Sequence, residues 1–282
     1  MSLSLRDAHH IAAQELKKAG VSEPSLDARL LLASLFKDGR EVFFREPERL
    51  LTSEEEQLFR GLVERRVLRE PVSHILGRRE FWSLEFLVNS DVLDPRPDSE
   101  TLIEAILTQC GQEFSGRILD LGTGSGCLLL TLLTELPKST GIAVDQSVAA
   151  LDVAKENTRR LGLQNRCELF HSHWFEKVQG RFDVIVSNPP YIETETVKEL
   201  EPEVTQFEPL SALDGGKDGL NCYREIVSSA PDFLCEGGYL IFEVGFGQAE
   251  AVASLLRGEN FSEIRIHNDL ASVGRCVSGI LK

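Results

Sequence analysis

The sequence predicts an α/β protein. Its core is a seven-stranded, mostly parallel sheet with an antiparallel last strand and helices on both faces. A small N-terminal helical bundle and a connecting β-hairpin precede it. Three observations carry this prediction. From about residue 115 onward, short apolar runs alternate with segments of helical length, the pattern of strand–helix–strand units. Residues 1 to about 80 instead place apolar residues near helical spacing. Between these regions Phe81, Trp82, Leu84, Phe86, Leu87 and Val88 shift the period to that of short paired strands.

In the bundle, Leu5, Ala8, Ile11, Ala12, Leu16 and Ala19 form one apolar stripe, with Gly20 as its stop. Ser22-Glu23-Pro24 opens a second helix. Its apolar side is Leu26, Ala28, Leu30, Leu31, Leu32, Leu35 and Phe36, and it ends near Gly39. Thr52 or Ser53 caps a third, whose first turn holds Glu54, Glu55 and Glu56 against the positive end of the helix dipole. That helix is expected to turn Leu58, Leu62, Val63 and Val67 inward and to leave Arg65, Arg66 and Arg69 on a basic surface with Arg78 and Arg79. The expected organisation is residues 1–78 as a helical substrate-docking domain, 79–97 as hairpin and linker, and 98–282 as the catalytic domain.

In the linker, two prolines flank Arg96 and hold an extended loop. A helix from Ser99 to about Cys110 follows. The strand candidates are then 117–121, 141–145, 167–171, 182–187, 239–244, 263–267 and 275–281, with helices at 127–136, 147–161, 219–234 and 247–257. The last two strands are joined by a link too short for a helical crossover, so they should pair antiparallel. Ile192 to Gly219 lacks clear periodicity and is rich in Glu. A connection of that length reads as a cover or substrate-shaping segment.

The chain has 282 residues, 42% of them hydrophobic, enough for a substantial core. No apolar run approaches the length of about 18 residues that a membrane helix needs. The opening residues lack the basic and apolar regions of a signal peptide. Six scattered cysteines form no C-x-x-C and no cluster with His, which points away from zinc and disulfides and toward the cytoplasm. Net charge is −15. Residues 1–80 hold 14 Lys+Arg and 14 Asp+Glu, and the remainder holds 16 and 31. So acidic a second half is a poor match for a polyanion, and no direct nucleic-acid binding is expected. With no long exposed apolar stripe, a monomer is expected.

Two stretches carry chemistry. Asn188-Pro189-Pro190-Tyr191 follows the apolar run 182–187, at the carboxyl end of a buried strand, where open α/β sheets bind ligands. The prolines end the strand and stiffen the backbone. The Asn188 carboxamide and the Pro189 and Pro190 carbonyls offer acceptors, and Tyr191 offers a flat face. The set suits a planar NH2 group. The second stretch is Asp120-Leu121-Gly122-Thr123-Gly124-Ser125-Gly126, a glycine turn between strand and helix. Its G-x-G-x-G spacing differs from the dinucleotide fingerprint, and no Gly-Lys-Ser/Thr follows. Asp120 would attract a cation, and Asp145, ending the next strand, can take both hydroxyls of a ribose. Acidic strand ends beside a glycine turn suit S-adenosyl-L-methionine, which is positive at sulfur and lacks phosphate. Cys127 reads as a small core residue, Trp82 as packing, and Glu243 and Gln248 as a strand-to-helix turn near the site's rim.

With these residues in place the chain resembles the class I, Rossmann-like, S-adenosylmethionine-dependent methyltransferases that modify planar amino groups. More narrowly, it resembles the peptide chain release factor N5-glutamine methyltransferases. The matching pieces are Ile75-Leu76-Gly77, Glu80-Phe81-Trp82, Pro95-Arg96-Pro97-Asp98-Ser99-Glu100, Asp120–Gly126, Asp145, Trp174-Phe175, Asn188–Tyr191, Phe207-Glu208-Pro209 and Leu213-Asp214-Gly215-Gly216 with Asp218-Gly219. They span most of the chain. The resemblance implies that Gly122, Thr123, Gly124, Ser125 and Gly126 line the methionine and ribose, that Asp145 binds the ribose hydroxyls and that Trp174 packs on adenine. It also implies that Asn188 touches cofactor and substrate, and that Arg96, Pro189, Pro190 and Tyr191 hold the substrate. That substrate would be the glutamine of a release factor's Gly-Gly-Gln loop, and the cofactor product S-adenosyl-L-homocysteine. The chain departs from the family at His173, where an acidic residue is common, and at Asp94, where an aliphatic one is usual.

The expected mechanism is direct methyl transfer, with Asn188, Pro189 and Tyr191 as its catalytic residues. The amide nitrogen must face the methyl at roughly 3–3.5 Å. The Asn188 oxygen and the Pro189 carbonyl would accept the amide hydrogens as the nitrogen becomes cationic. Two other readings stay open on the residues alone. One is a nucleic-acid amino methyltransferase, since adenine's exocyclic nitrogen is also planar. The other is a binding module that keeps the fold without turnover.

Overall fold

The computed structural model describes residues 3–282, the side chain of Arg40 excepted. Met1 and Ser2, the start of the stretch read for a leader, lie outside the described residues. The chain divides into two compact units. The first holds the residues up to Arg78 together with Glu201–Phe207, and the second holds Arg79–Leu200 and Glu208–Lys282.

The first unit is helical: α1 Leu5–Lys18, α2 Pro24–Ala33, α3 Val42–Arg45, α4 Ser53–Val67 and α5 Val72–Leu76. Its boundaries follow from local chemistry. Ser4 caps α1, its Oγ accepting the Asp7 N–H at 3.1 Å, and the chain turns out of the helix at Gly20 with φ 79°. Thr52 caps α4 in a reciprocal box: Glu55 N–H donates to Thr52 Oγ1 at 3.2 Å, and Thr52 N–H to Glu55 Oε2 at 2.9 Å. The core of this unit includes Leu5, Leu16, Leu31, Leu32, Phe59 and Val63.

Three expectations are corrected here. The second helix ends at Ala33, short of Gly39, because Leu35 and Phe36 continue in turns. On α4 the buried face is Phe59, Val63 and Arg66, and Leu58 and Val67 point outward. The arginines are not a free basic face. Arg66 is only 4% exposed and meets Asp27 and Glu203, each at 2.7 Å. Arg69 pairs with Glu203 at 2.5 Å and with Glu201 at 2.8 Å. A buried guanidinium is tolerated only with such partners, so this charge organises the fold from inside.

The second unit begins at Arg79, within β1 Arg78–Phe81, and β2 Leu84–Leu87 follows. Their two-residue turn, Trp82 and Ser83, has φ of 50° and 59°, as a tight hairpin requires. The hairpin is held on the sheet's helices. Trp82 N–H donates to Glu100 at 2.9 Å, and Leu87 N–H to Asn157 at 2.7 Å. Then come α6 Glu100–Cys110, β3 Arg117–Leu121, α7 Cys127–Glu135, β4 Thr140–Asp145, α8 Val148–Arg160, β5 Cys167–His171 and β6 Phe182–Ser187. Two short helices follow, α9 Thr194–Val197 and α10 Pro202–Phe207, so the long connection is partly ordered. The chain ends with α11 Asn221–Ser229, β7 Leu234–Glu243, α12 Ala249–Gly258, β8 Phe261–Asn268 and β9 Gly274–Leu281.

The seven strands lie in the order β5-β4-β3-β6-β7-β9-β8. The pairings from β5 to β7 are parallel, and β9 is antiparallel to both neighbours, as predicted. One face of the sheet packs Leu119, Leu121, Ile185 and Phe242 on Tyr223 and Val252. The other packs Ile118, Val184, Val186 and Ile241 on Leu102, Leu129 and Leu133, with Phe81 and Phe86 of the hairpin. Strand order reverses at β3. The chain moves outward to β4 and β5, then returns to β6 on β3's other side. Such a switch opens a crevice at the strands' carboxyl ends. Among the described residues no helix is long and apolar enough to cross a membrane.

The buried ion cluster gives a stability test. Arg66→Ala should cost about 3–5 kcal/mol, because it leaves Asp27 and Glu203 without a buried partner. Urea unfolding should show the midpoint falling with an unchanged slope. A loss under about 1 kcal/mol would mean that the pair behaves as a surface one.

Candidate active site

The crevice is built from the loops that leave β3, β4, β5 and β6, with the segment that precedes α6 and part of the long connection after β6. The glycine turn hangs on the neighbouring strand, since Gly122 and Thr123 both donate their N–H to Val144 O, at 2.9 and 3.0 Å. Gly122 adopts φ 73°, and a Cβ there would come within 3.4 Å of the Trp174 ring. Gly126, at φ 83°, opens α7, and a Cβ there would press on Leu130 at 3.0 Å. Glycine is therefore required for conformation at both positions and for room at the second.

Two carboxylates frame the turn. Asp120 is fully buried. Thr123 Oγ1 donates to its Oδ2 at 2.6 Å, and its Oδ1 has no protein partner. Burial pushes this carboxyl up to about 7, partly opposed by the Thr123 hydrogen bond. Asp145, at the end of β4, accepts Gly124 N–H at 2.9 Å on one oxygen and Ser147 N–H at 2.8 Å on the other. Burial raises it too, against these backbone bonds. Each oxygen keeps a lone pair, which suits a pair of vicinal hydroxyls.

Asn188 leaves the end of β6. Its Nδ2 donates to Ser99 Oγ at 3.4 Å, and the Ser99 hydroxyl donates to Glu243 Oε2. Tyr191 OH donates to the other Glu243 oxygen at 3.4 Å, and Tyr223 OH donates to the Glu243 carbonyl at 2.8 Å. Gln248 ties the Tyr191 carbonyl at 2.9 Å and accepts Gly245 N–H at 3.0 Å. Glu243 is 2% exposed, and burial pushes it up to about 7 against the bonds from Ser99, Tyr191 and Asn188. Nearby, Arg96 Nη2 reaches both oxygens of Glu208, at 2.6 and 2.8 Å. Burial also pushes Glu208 up to about 7, with Arg96 opposing.

One cleft of about 910 Å³, open mouth included, brings together Arg96, Gly122, Thr123, Gly124, Ser125, Asp145, Trp174, Asn188 and Pro190. Asp120, Gly126, Pro189 and Tyr191 do not line it, and stand behind or beside the lining residues. Trp174 has φ 39°, a strained backbone for a bulky residue, and its ring covers Gly122. His173 also lines the cleft, with Nδ1 3.4 Å from Glu225. Among the described residues no group of His, Cys, Asp and Glu could hold a metal. Sequence reasoning left Ser99, Glu208 and Glu243 without a role. The available signal was a lone acidic residue ending the apolar run Tyr239–Phe242.

The lining fits S-adenosyl-L-methionine. A backbone of glycines allows close approach, a carboxylate with spare lone pairs meets hydroxyls, and an aromatic face stands beside them. Arg96 is the one Lys or Arg lining the cleft among the described residues, and Glu208 already holds it. A polyphosphate would find little here.

Comparison with known proteins agrees. Residues 7–77 match the PrmC N-terminal domain, and residues 90–205 match the Methyltransferase small domain. A release factor glutamine methyltransferase of Caulobacter vibrioides is 42% identical, over 99% of this chain and 97% of its own. One of Rhodospirillum rubrum is 45% identical, over 94% and 81%. In fold, the chain is similar to the Thermus thermophilus 16S rRNA N2 G1207 methyltransferase, with a TM-score of 0.53 and 19% identity, over 73% of this chain and 50% of that one. Sequence, fold and cleft lead to one assignment: this chain belongs to the release factor glutamine methyltransferases, enzymes that use S-adenosyl-L-methionine.

Proposed function

We propose that this chain methylates the side-chain amide nitrogen of the glutamine in the Gly-Gly-Gln loop of peptide chain release factors. The observation that carries the reading is the place of Asn188. It lines the same cleft as Gly122–Gly124 and Asp145, from the end of β6, the strand next to the β3 that leads into the glycine turn. A planar amide bound at Asn188 therefore lies beside the group bound at the glycine turn. The relatives' names supply the protein substrate. The acidic balance of the chain outside residues 1–80 favours a protein over a polyanion. The six free cysteines fit a reducing cytoplasm, where the enzyme works as a monomer on its partner.

When bound, S-adenosyl-L-methionine supplies an electrophilic methyl group on a cationic sulfur, which passes to the amide nitrogen and leaves S-adenosyl-L-homocysteine. Gly122–Gly126 admit the methionine and ribose, Asp145 takes the ribose hydroxyls and Trp174 packs on the adenine. The buried Asp120 carboxylate lends negative potential beneath the turn. The Asn188 Oδ1 and the Pro189 carbonyl accept the two amide hydrogens, so charge that develops on the nitrogen meets fixed acceptors. Pro190 and Tyr191 hold the amide's plane, and Arg96, braced by Glu208, holds the substrate at the cleft's edge. The surplus proton leaves to water, so no general base is needed. The helices of residues 1–78 dock the release factor.

Three results are expected. Labelled methyl should pass to a purified release factor, and neither to its Gln→Ala variant nor to unmodified duplex DNA. Equal label on the Gln→Ala factor, or label on DNA, would overturn the reading. Asn188→Ala should lower kcat about 10²–10³-fold at saturating cofactor and substrate, and near wild-type turnover would remove Asn188 from the mechanism. Asp145→Ala should weaken cofactor binding by about 10–100-fold in calorimetry. Unchanged affinity would move the ribose elsewhere.

A further inference from the structure

Asn188 has a direction problem. A carboxamide is nearly symmetric in shape, and turned over it would present NH2 where the reaction needs an acceptor. Nothing in the two following prolines selects one orientation. The selection comes from behind. Glu243, at the end of β7, is buried and, when ionised, can only accept. It takes the Ser99 hydroxyl proton on Oε2. A hydroxyl has one proton, so Ser99 Oγ has only lone pairs left for Asn188. It must accept, and Asn188 must turn its NH2 to Ser99, at 3.4 Å. The Oδ1 then faces away from Ser99. The second Glu243 oxygen accepts from Tyr191 OH, so both ends of the Asn188–Tyr191 box rest on one carboxylate.

We propose that Glu243 and Ser99 are positioning residues for methyl transfer, setting the orientation of the Asn188 carboxamide through an ordered chain of hydrogen bonds. This rests on the methyl-transfer reading above. The chain is polar in one sense only while Glu243 is ionised. Its burial has raised it to about 7, so protonation is within reach. A protonated Glu243 can donate to Ser99 Oγ. Ser99 then donates onward, and Asn188 Oδ1 turns back to accept. The ionisable and charged groups facing Glu243 are Tyr191, Tyr223, Asp98, Cys127 and Cys276, with Arg275 next to Cys276 and to Asp98, 2.9 Å away. Most of them oppose its charge, and its ionisation leans on Ser99, Tyr191 and Asn188.

The test is the kinetics of the full-length enzyme on a release factor. Ser99→Ala should lower kcat about tenfold, the loss of one orienting hydrogen bond, with the cofactor's KM little changed. Ser99→Thr, which keeps the hydroxyl, should restore it. In the wild type, kcat should rise with pH through a limb near 7. In Glu243→Gln the limb should vanish, although Asp120 and Glu208 still titrate, because the Gln carboxamide neither gains nor loses a proton near neutral pH. Wild-type kcat in Ser99→Ala, or a limb that persists in Glu243→Gln, overturns the proposal. A wild-type enzyme that transfers no label to the factor would sink the substrate reading instead, so the two failures are distinguishable.

Discussion

The pairing of β3 with β6 is the constraint on which the site depends. Leu121 stands opposite Ser187 in parallel register, and Ser187 Oγ donates to Leu121 O at 2.7 Å. The two strands therefore end together. Gly122 and Asn188 leave the sheet side by side, although 66 residues separate Leu121 and Ser187 along the chain. A slip of one residue would turn Asp120 and Leu121 to the opposite faces. That shared edge brings the glycine turn and Asn188 into one cleft.

The site also concentrates buried acid. Asp120, Glu208 and Glu243 are all raised to about 7, each chiefly by burial. Burying carboxylates is costly unless they are hydrogen-bonded. Each here has a donor: Thr123 for Asp120, Arg96 for Glu208, and Ser99 with Tyr191 for Glu243. The low local dielectric around these buried groups strengthens the hydrogen bonds they make.

The long connection shows a different use of charge. Its middle, Glu201–Phe207, belongs with the helical unit through Arg66 and Arg69, while Leu200 and Glu208 on either side belong with the sheet. Helix α10 buries no residue of its own, so ion pairs and not packing hold it. That explains why the stretch looked like a loop. Apolar periodicity is the signal of packed elements, and this element is held by side chains 132 to 137 positions away in the sequence.

The sequence by itself determined the elements of the sheet, the two chemical stretches and the cofactor class. Strand ends fell where apolar runs met Gly, Pro or Asp, and such local punctuation acts over a few residues. The hairpin and the capped helices were legible for the same reason. What only the tertiary structure decided was partnership. Arg66 looked like any surface arginine until Asp27 and Glu203 closed on it. Leu58 and Val67 shared the helical stripe but stay exposed to solvent. Glu243 looked like the polar end of a strand until Ser99 and Tyr191, distant in sequence, arrived at its two oxygens. The physical reason is common to all three. Whether a polar group is buried, and what it then bonds, depends on which elements pack beside it, and a one-dimensional pattern records only the element's own preference.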